Sequence, residues 1–387
     1  MRMFLRQHMR REDRTLLEEP YEDGAEVLDQ RLPKRLGVLV ESAHLLGAEI
    51  HADLDTTRYG IGWWAPHLGT KRRILISDYL YQSTHSIQTN LVEAAVHLLE
   101  ARHAWEQQDA MVADAVTRDL DGEPKFNAPT ITGPTDELPN VVSQLHLAGF
   151  FRAAASTADC VGAAIVGVAG LPTSILRADW NSALRALRGI DPVDAGTTEQ
   201  VQLLAALDAL VDSLGPAGWL HWMLGYRNML VHRARRMTVN GVEPIPPTLV
   251  DVQQRPIVRC RSRLQLHVDP SRSEMEVLLH HDHRQYVEEN ARDTLSACLE
   301  SVTQLAETTC ALLLEVWHKR RTNPALVAQP VAQWPKLEEP NDVFRGYKPS
   351  GPPSHDQMVT SPTFRKRVLA AALDEASRPK WDDPDFD

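Results

Sequence analysis

Tyr226-Arg227-Asn228-Met229-Leu230-Val231-His232-Arg233 decides how the chain is read, because it sets an arginine and a histidine into an apolar helical repeat. Gly215-Pro216 upstream is a helix start signal and Asn240-Gly241 downstream a stop signal, which predicts a helix over Gly218 to Met237. At about 100° per residue, Trp219, Met223, Tyr226, Leu230, Ala234 and Met237 share one broad apolar face. His221, Asn228, His232 and Arg235 fall together on a narrow polar stripe, flanked by Leu220, Leu224 and Val231. Apolar residues therefore cover most of the circumference, so the helix is expected to be mostly buried, with its stripe facing a cleft or a subunit interface. Arg227 lies about 140° from His232, and only its long side chain could return the guanidinium to the histidine. The bland alternative is a solvated stripe with Arg227 paired to a structural carboxylate.

Outward from that helix, the pattern is mainly helical. Residues 25 to 50 carry a helical repeat broken at Pro33, and Arg73-Ile74-Leu75-Ile76-Ser77 reads as β-like, part of a small layer at the N-terminus. Long helices are predicted from about His85 to Val116, from Asn140 to Gly170 (closed by Gly170-Leu171-Pro172), and from Val287 to Arg320. Shorter ones are predicted from Trp180 to Leu187 and from Thr198 to Leu214. Residues 119 to 139 read as a loop. Arg259 to His267 and Glu274 to His283 read as the strands of a hairpin turning at Asp269-Pro270-Ser271-Arg272. Beyond residue 321 the chain holds ten of its 25 prolines, and only Ser361-Pro362 to Ala376 reads as a helix, with Ser361 as N-cap. The end, Lys380 to Asp387, is acidic with two aromatics. It reads as a solubilising tail, or as a docking peptide that covers a basic groove.

Composition narrows the function classes. Over 387 residues, 43% are hydrophobic and 24% charged, an ordinary globular balance. The longest apolar run, Cys160 to Leu171, is short of a bilayer span, and the basic Met1 to Arg14 has no apolar core of a secretory signal. Cys160, Cys260, Cys298 and Cys310 show no C-x-x-C pairing and read as reduced thiols. A cytoplasmic protein with no membrane contact is expected. The net charge of −11 argues against a general nucleic-acid coat. Yet Arg227 to Arg263 holds eight arginines against Glu243 and Asp251, about +6 on a remainder of about −17. Such a local field suits engagement of one defined polyanion; its bland reading is pairing with carboxylates elsewhere. No G-x-x-x-x-G-K-S/T, no G-x-G-x-x-G after a strand and no G-x-S-x-G occurs, so nucleotide-driven, Rossmann and hydrolase readings lack support.

An arginine beside a histidine brings a fixed positive charge and a group that titrates near neutrality. The bare R-x4-H spacing is expected roughly once by chance at this composition, and the chain has it once; the Asn after the Arg makes it much rarer. Arg227-Asn228 with His232, inside a predicted helix of a mainly helical chain, resembles the R-N-x-x-x-H signature of HEPN-domain ribonucleases. The resemblance covers about residues 85 to 321 and implies a four-helix-bundle HEPN-like core with a small β-hairpin insertion at 240–285, of the stand-alone bacterial kind. Residues 1–84 would be an N-terminal extension and 322–387 a Pro-rich tail with one short helix.

It further implies a metal-independent, cofactor-free endoribonuclease used as a toxin or anti-phage defence effector, acting as a homodimer and restrained by an antitoxin or defence partner. In that chemistry a ribose 2′-OH attacks the adjacent phosphorus, His232 acts as general base or acid, and Arg227 holds the phosphate oxygens. Asn228 fixes the imidazole or bonds the substrate. Asp159, His221 and Arg235 are candidate supports, and Arg233, Arg236, Arg259 and Arg261 candidate RNA contacts. The rival is a catalytically silent HEPN-like binding or dimerisation module.

Two further clusters carry chemistry. His280-His281-Asp282-His283 with His267 offers metal-ligand residue types, but a polar hairpin end accounts for it equally well. Arg152, Ser156 and Asp159 form one polar stripe along an Ala-rich helix. Asp159 is the candidate carboxylate for Arg227 or for orienting His232; a structural hydrogen-bond network is the alternative.

Overall fold

In the computed structural model the chain is described over residues 32–58, 60–63, 70–118, 134–191, 198–232, 238–245, 259–272, 276, 279, 286–324, 347 and 361–371. At 70–72, 111–118, 134–137, 231–232, 238–245 and 259–263 only the backbone is described. The fold is mainly helical. Its elements are α1 (Glu41–Ala52), α2 (Thr70–Arg118), α3 (Pro134–Ala169), a 3-10 turn (Ile175–Arg177), α4 (Trp180–Arg188), α5 (Thr198–Ser213), α6 (Trp219–His232), β1 (Thr238–Ile245), β2 (Arg259–Leu266), α7 (Ala291–Thr322) and α8 (Pro362–Ala371).

Helix α3 is the core of the molecule. α2 packs along it most extensively, and α7, α4 and α6 cover its other sides. From Leu138 to Ala169 it is long and apolar enough to cross a membrane by length and composition, but 78% of its most apolar window is buried inside the protein. It ends as Gly170-Leu171-Pro172 predicts: Gly170 takes φ 63°, and the Gly170 and Leu171 amides donate to the carbonyls of Gly167 and Val166 at 3.4 and 3.1 Å. Gln200 of α5 donates to the Ala169 carbonyl at 3.2 Å, and the Arg320 guanidinium of α7 reaches the carbonyls of Gly167 and Val168. The last turn of the central helix is thus closed by its own C-cap and by two other helices.

The β-like stretch at Arg73 to Ser77 is helix. It is part of the first two turns of α2, a 49-residue helix, and the Ser77 hydroxyl donates back to the Arg73 carbonyl at 2.7 Å. Ile74, Ser77, Leu80, Thr84, Ile87 and Leu91 are all buried, so the helical period extends further upstream than the run of Ile-Leu-Ile suggested. Packing overrides local propensity here. Gly60, at φ 81°, lies against that segment, where a Cβ would come 2.6 Å from the Ser77 hydroxyl.

The boundary expected at residue 84 therefore falls in the middle of a helix. Helix α1 belongs to the bundle as well. The Ser42 amide and hydroxyl donate to Glu307 of α7 at 3.1 and 2.7 Å, and at its far end Trp317 and Arg321 of α7 reach Asp53 at 2.9 and 2.6 Å. Helix α8 starts with the Ser361 hydroxyl accepting from the Phe364 amide at 3.2 Å. It docks on the same layer, through Lys366 to the His51 carbonyl at 2.7 Å and Arg367 to Asp78.

β2 has a strand partner that the sequence did not predict. β2 lies antiparallel to β1, with Thr238 opposite Leu266 and Ile245 opposite Arg259. The expected partner, Glu274 to His283, lies almost wholly outside the described residues, apart from Glu276 and Leu279, both helical. Gly241 and Pro244 in β1 hid its strand character, since both are rare in strand interiors.

Candidate active site

Helix α6 buries the face that its apolar period assigns to the core. Met223 and Tyr226 are fully buried, and Trp219, Leu220, Leu224, Met229 and Leu230 nearly so. Tyr226 stacks on Phe151 of α3 with ring centres 4.4 Å apart and planes 9° from parallel. Its hydroxyl and the Trp222 indole both donate to the His267 carbonyl, at 3.1 and 3.0 Å. Burial pushes the Tyr226 hydroxyl far above its ordinary range, so it serves as a donor and not as an acid. These contacts fix α6 in both rotation and depth against α3.

That setting carries Arg227 to Asp159. The terminal guanidinium nitrogen and the carboxylate of α3 meet at 3.0 Å, with the side chains 29% and 23% exposed, so the pair is half-buried with one side open to solvent. The Asp159 carboxyl also accepts from the Trp180 amide, at the start of α4. Burial raises its pKa above the usual carboxylate value, with the Arg227 charge opposing and the Asp179 charge adding to the rise. Arg227 Nε is buried and finds no hydrogen-bond partner among the described residues. The guanidinium is therefore held through a terminal nitrogen, and its unpartnered Nε is turned inward, away from solvent.

Asn228 follows and is exposed, as is His221 two turns earlier. His232 is the last residue of the helix; four positions after Asn228, it lies on the same side of the helix axis by register. Of its side chain nothing is described. Arg233, Arg235 and Arg236 lie outside the described residues. Arg259 and Arg261 are on β2, opposite Ile245 and Glu243. Arg152 and Ser156 are exposed on the side of α3 that leads to Asp159.

Among the other sequence candidates, His267 is taken into packing. It is nearly buried with its ring 4.9 Å from Tyr286, and His280 to His283 lie outside the described residues. No cluster of three or more metal-ligating side chains occurs among the described residues. Burial raises the Cys160 thiol to about 11 and the Cys298 thiol to about 12, so neither is an activated nucleophile.

A feature that the sequence did not announce lies beside the head of the polar stripe. A cleft of about 760 Å³ runs between the start of α6, the Val268–Ser271 turn and the first turns of α7. Trp219, His221, Trp222 and Gly225 form its α6 wall. Its acidic rim comes from Asp269, Glu288 and Glu289, residues remote from α6 in sequence. The Asp269-Pro270-Ser271-Arg272 turn signal marked that loop, but nothing local said that it leans over α6.

No protein-family model, curated protein or solved structure matches the chain.

Proposed function

We propose that the protein is a metal-independent endoribonuclease of the HEPN kind, acting as a toxin or defence effector. The observation that carries this reading is the Arg227–Asp159 pair: a charged arginine held by a carboxylate and partly open to solvent, one residue from exposed Asn228, in a helix that ends at His232. Arg227 would meet the scissile phosphate and stabilise the charge that builds on its oxygens during 2′-OH attack. His232 would transfer the proton as general base or acid, and Asn228 would orient it or the substrate. Asp159 acts through Arg227, as a positioning residue. The products would be a 2′,3′-cyclic phosphate and a 5′-hydroxyl.

A homodimer is part of the proposal. Leu138, Val141 and Leu145 line one side of α3 at helical spacing and are 56, 57 and 54% exposed. Farther along, that side becomes polar at Arg152, Ser156 and Asp159, next to Arg227. An apolar stripe leading to the candidate site suits a second copy packed across it. A monomer by light scattering at micromolar concentration, with cleavage first order in protein, would remove this part.

The second reading, a silent binding or dimerisation module, has the same ion pair in its favour. An arginine committed to a carboxylate also fixes two helices to each other. Incubation of the protein with total RNA in EDTA, beside Arg227→Ala and His232→Ala, separates the two. Cleavage that falls by about 10²- to 10⁴-fold in His232→Ala is the expected result. Wild-type rates in that variant, or activity that needs a divalent metal, would overturn the mechanism.

A further inference from the structure

We infer that the cleft between α6, the Val268–Ser271 turn and α7 is a base-binding subsite, taking an RNA base that carries an exocyclic amine. The inference rests on the ribonuclease reading for its choice of ligand, and on the cleft itself for the rest. At about 760 Å³ the cleft has room for a nucleoside and the start of its neighbour. Its α6 wall contains Trp219 and Trp222; Trp219 is nearly buried, and the half-buried Trp222 is the indole that offers a base a surface to stack on. The Trp222 indole nitrogen is bonded to the His267 carbonyl at 3.0 Å and the Trp219 nitrogen to the Val211 carbonyl at 3.0 Å. Both rings are therefore held in place before a ligand arrives.

Polarity selects the kind of group. Asp269, Glu288 and Glu289 stand on the rim against a single histidine, His221. Asp269 is paired with Arg272, yet the rim residues that line the cleft are carboxylates with His221 as the one basic side chain among them. That setting disfavours a phosphate, so the backbone of a bound strand would run outside and the base would enter. Asp269 already accepts from the Ser271 amide at 2.9 Å and meets Arg272 at 3.2 Å. Glu289 accepts from the Thr294 hydroxyl at 3.3 Å. A carboxylate has about four acceptor positions, so each retains capacity for an amine donor. Cytosine, adenine and guanine offer such an amine; uracil does not.

Position links the cleft to the chemistry. His221, Gly225 and Asn228 lie along one side of α6, and at 1.5 Å rise per residue Asn228 is about 10 Å from His221. A strand whose base sits in the cleft would bring a phosphate past Asn228 towards His232 on that side of the helix; Arg227, about 120° round the axis from His221, would approach it through its long side chain. The base in the cleft would flank the cleaved bond and set the sequence preference.

The test uses trinucleotides whose 2′-hydroxyls are methylated, which cannot be cleaved. The C, A and U forms are titrated against tryptophan fluorescence of the full-length protein. Wild type is expected to bind the C and A forms on the order of tenfold more tightly than the U form, the range of one good hydrogen-bonded base contact. Ala297→Phe, which fills the cleft from exposed α7 surface, is expected to weaken all three. The Glu288→Gln/Glu289→Gln double variant keeps the volume and is expected to lose the preference over U. Equal binding of the three forms, or binding indifferent to both variants, would overturn the inference. So would an arginine-rich tripeptide that binds in the cleft where trinucleotides do not, because the cleft would then be a protein-docking site. RNA cleavage is measured separately. Base binding without any cleavage would sink the ribonuclease reading alone, and cleavage indifferent to the cleft variants would sink the subsite alone.

Discussion

Two arginines touch helix α3, and they are used in opposite ways. Arg320 is 1% exposed and donates to backbone carbonyls at the C-terminal end of α3; burial lowers its pKa to about 9. Arg227 sits near the middle of the same helix and meets a carboxylate with its side chain 29% exposed, so one side of it is open to solvent. A cation at a helix C-terminus complements the dipole and the orphan carbonyls, which is a structural duty. A cation held from one side beside an exposed polar stripe is, in the proposed reading, the one that receives an anion. Burial by itself does not separate structure from function; what the donors face does.

If that contrast is right, the largest effect on stability belongs to Arg320. Arg320→Ala leaves the Gly167 and Val168 carbonyls without that donor and opens a cavity, so urea unfolding should show a loss of about 3–5 kcal/mol. Activity per folded molecule should be unchanged, and a selective loss of activity would erase the distinction between the two arginines.

Arg227→Lys sharpens the other half of the contrast. Lysine keeps a charge opposite Asp159 but cannot present a planar fork to a phosphate. Cleavage should drop by about 10²- to 10³-fold, with the thermal midpoint nearly unmoved. A large fall in the midpoint with activity retained would make Arg227 a second structural arginine.

Asp159→Asn should have a smaller effect. Burial raises the folded-state pKa of Asp159 above its unfolded value. In the window between those values the folded chain holds the proton that the unfolded chain has lost, so stability falls as pH rises through it. The ionised carboxylate is thus a net cost in the fold, and Asp159→Asn should change stability at neutral pH by less than about 1 kcal/mol. It should also flatten that pH dependence. Loss of Arg227 positioning should lower cleavage by about tenfold, the lower range for residues that orient others. Strong destabilisation with unaltered kinetics would mark the pair as a helix clamp.

The smallest effect is expected at Tyr226. Tyr226→Phe keeps the stack on Phe151, and Trp222 still donates to the His267 carbonyl, so the cost should be about 1 kcal/mol by urea titration. A cost of several kcal/mol would mean that the hydroxyl, and not the stacked ring, seats α6 on α3.

The sequence was legible where structure depends on neighbours along the chain. The apolar period of α6, the Gly170-Leu171 stop of α3 and the Ser361 cap are all local signals, and each element follows them. Asp159 as partner of Arg227 was also within reach, because a polar stripe on an Ala-rich buried helix has few partners to choose from. Long-range packing was not legible. Ile74-Leu75-Ile76 has strand-forming residues but lies in a helix because its buried neighbours recur at helical spacing over the turns that follow. β2 pairs backwards with a segment containing Gly241 and Pro244, residues whose presence hides a strand from a local reading. The cleft rim unites Asp269, Glu288 and Glu289 with His221 across a sequence distance that no local pattern encodes.

The central claim is that Arg227 and His232 perform metal-independent phosphodiester transfer, and the ends of the RNA fragments report it most directly. RNA incubated with the wild-type protein in EDTA should yield fragments ending in a 2′,3′-cyclic phosphate and beginning with a 5′-hydroxyl, and the folded His232→Ala protein should yield none. Fragments beginning with a 5′-phosphate, or no fragments from a folded wild-type dimer, would contradict the account.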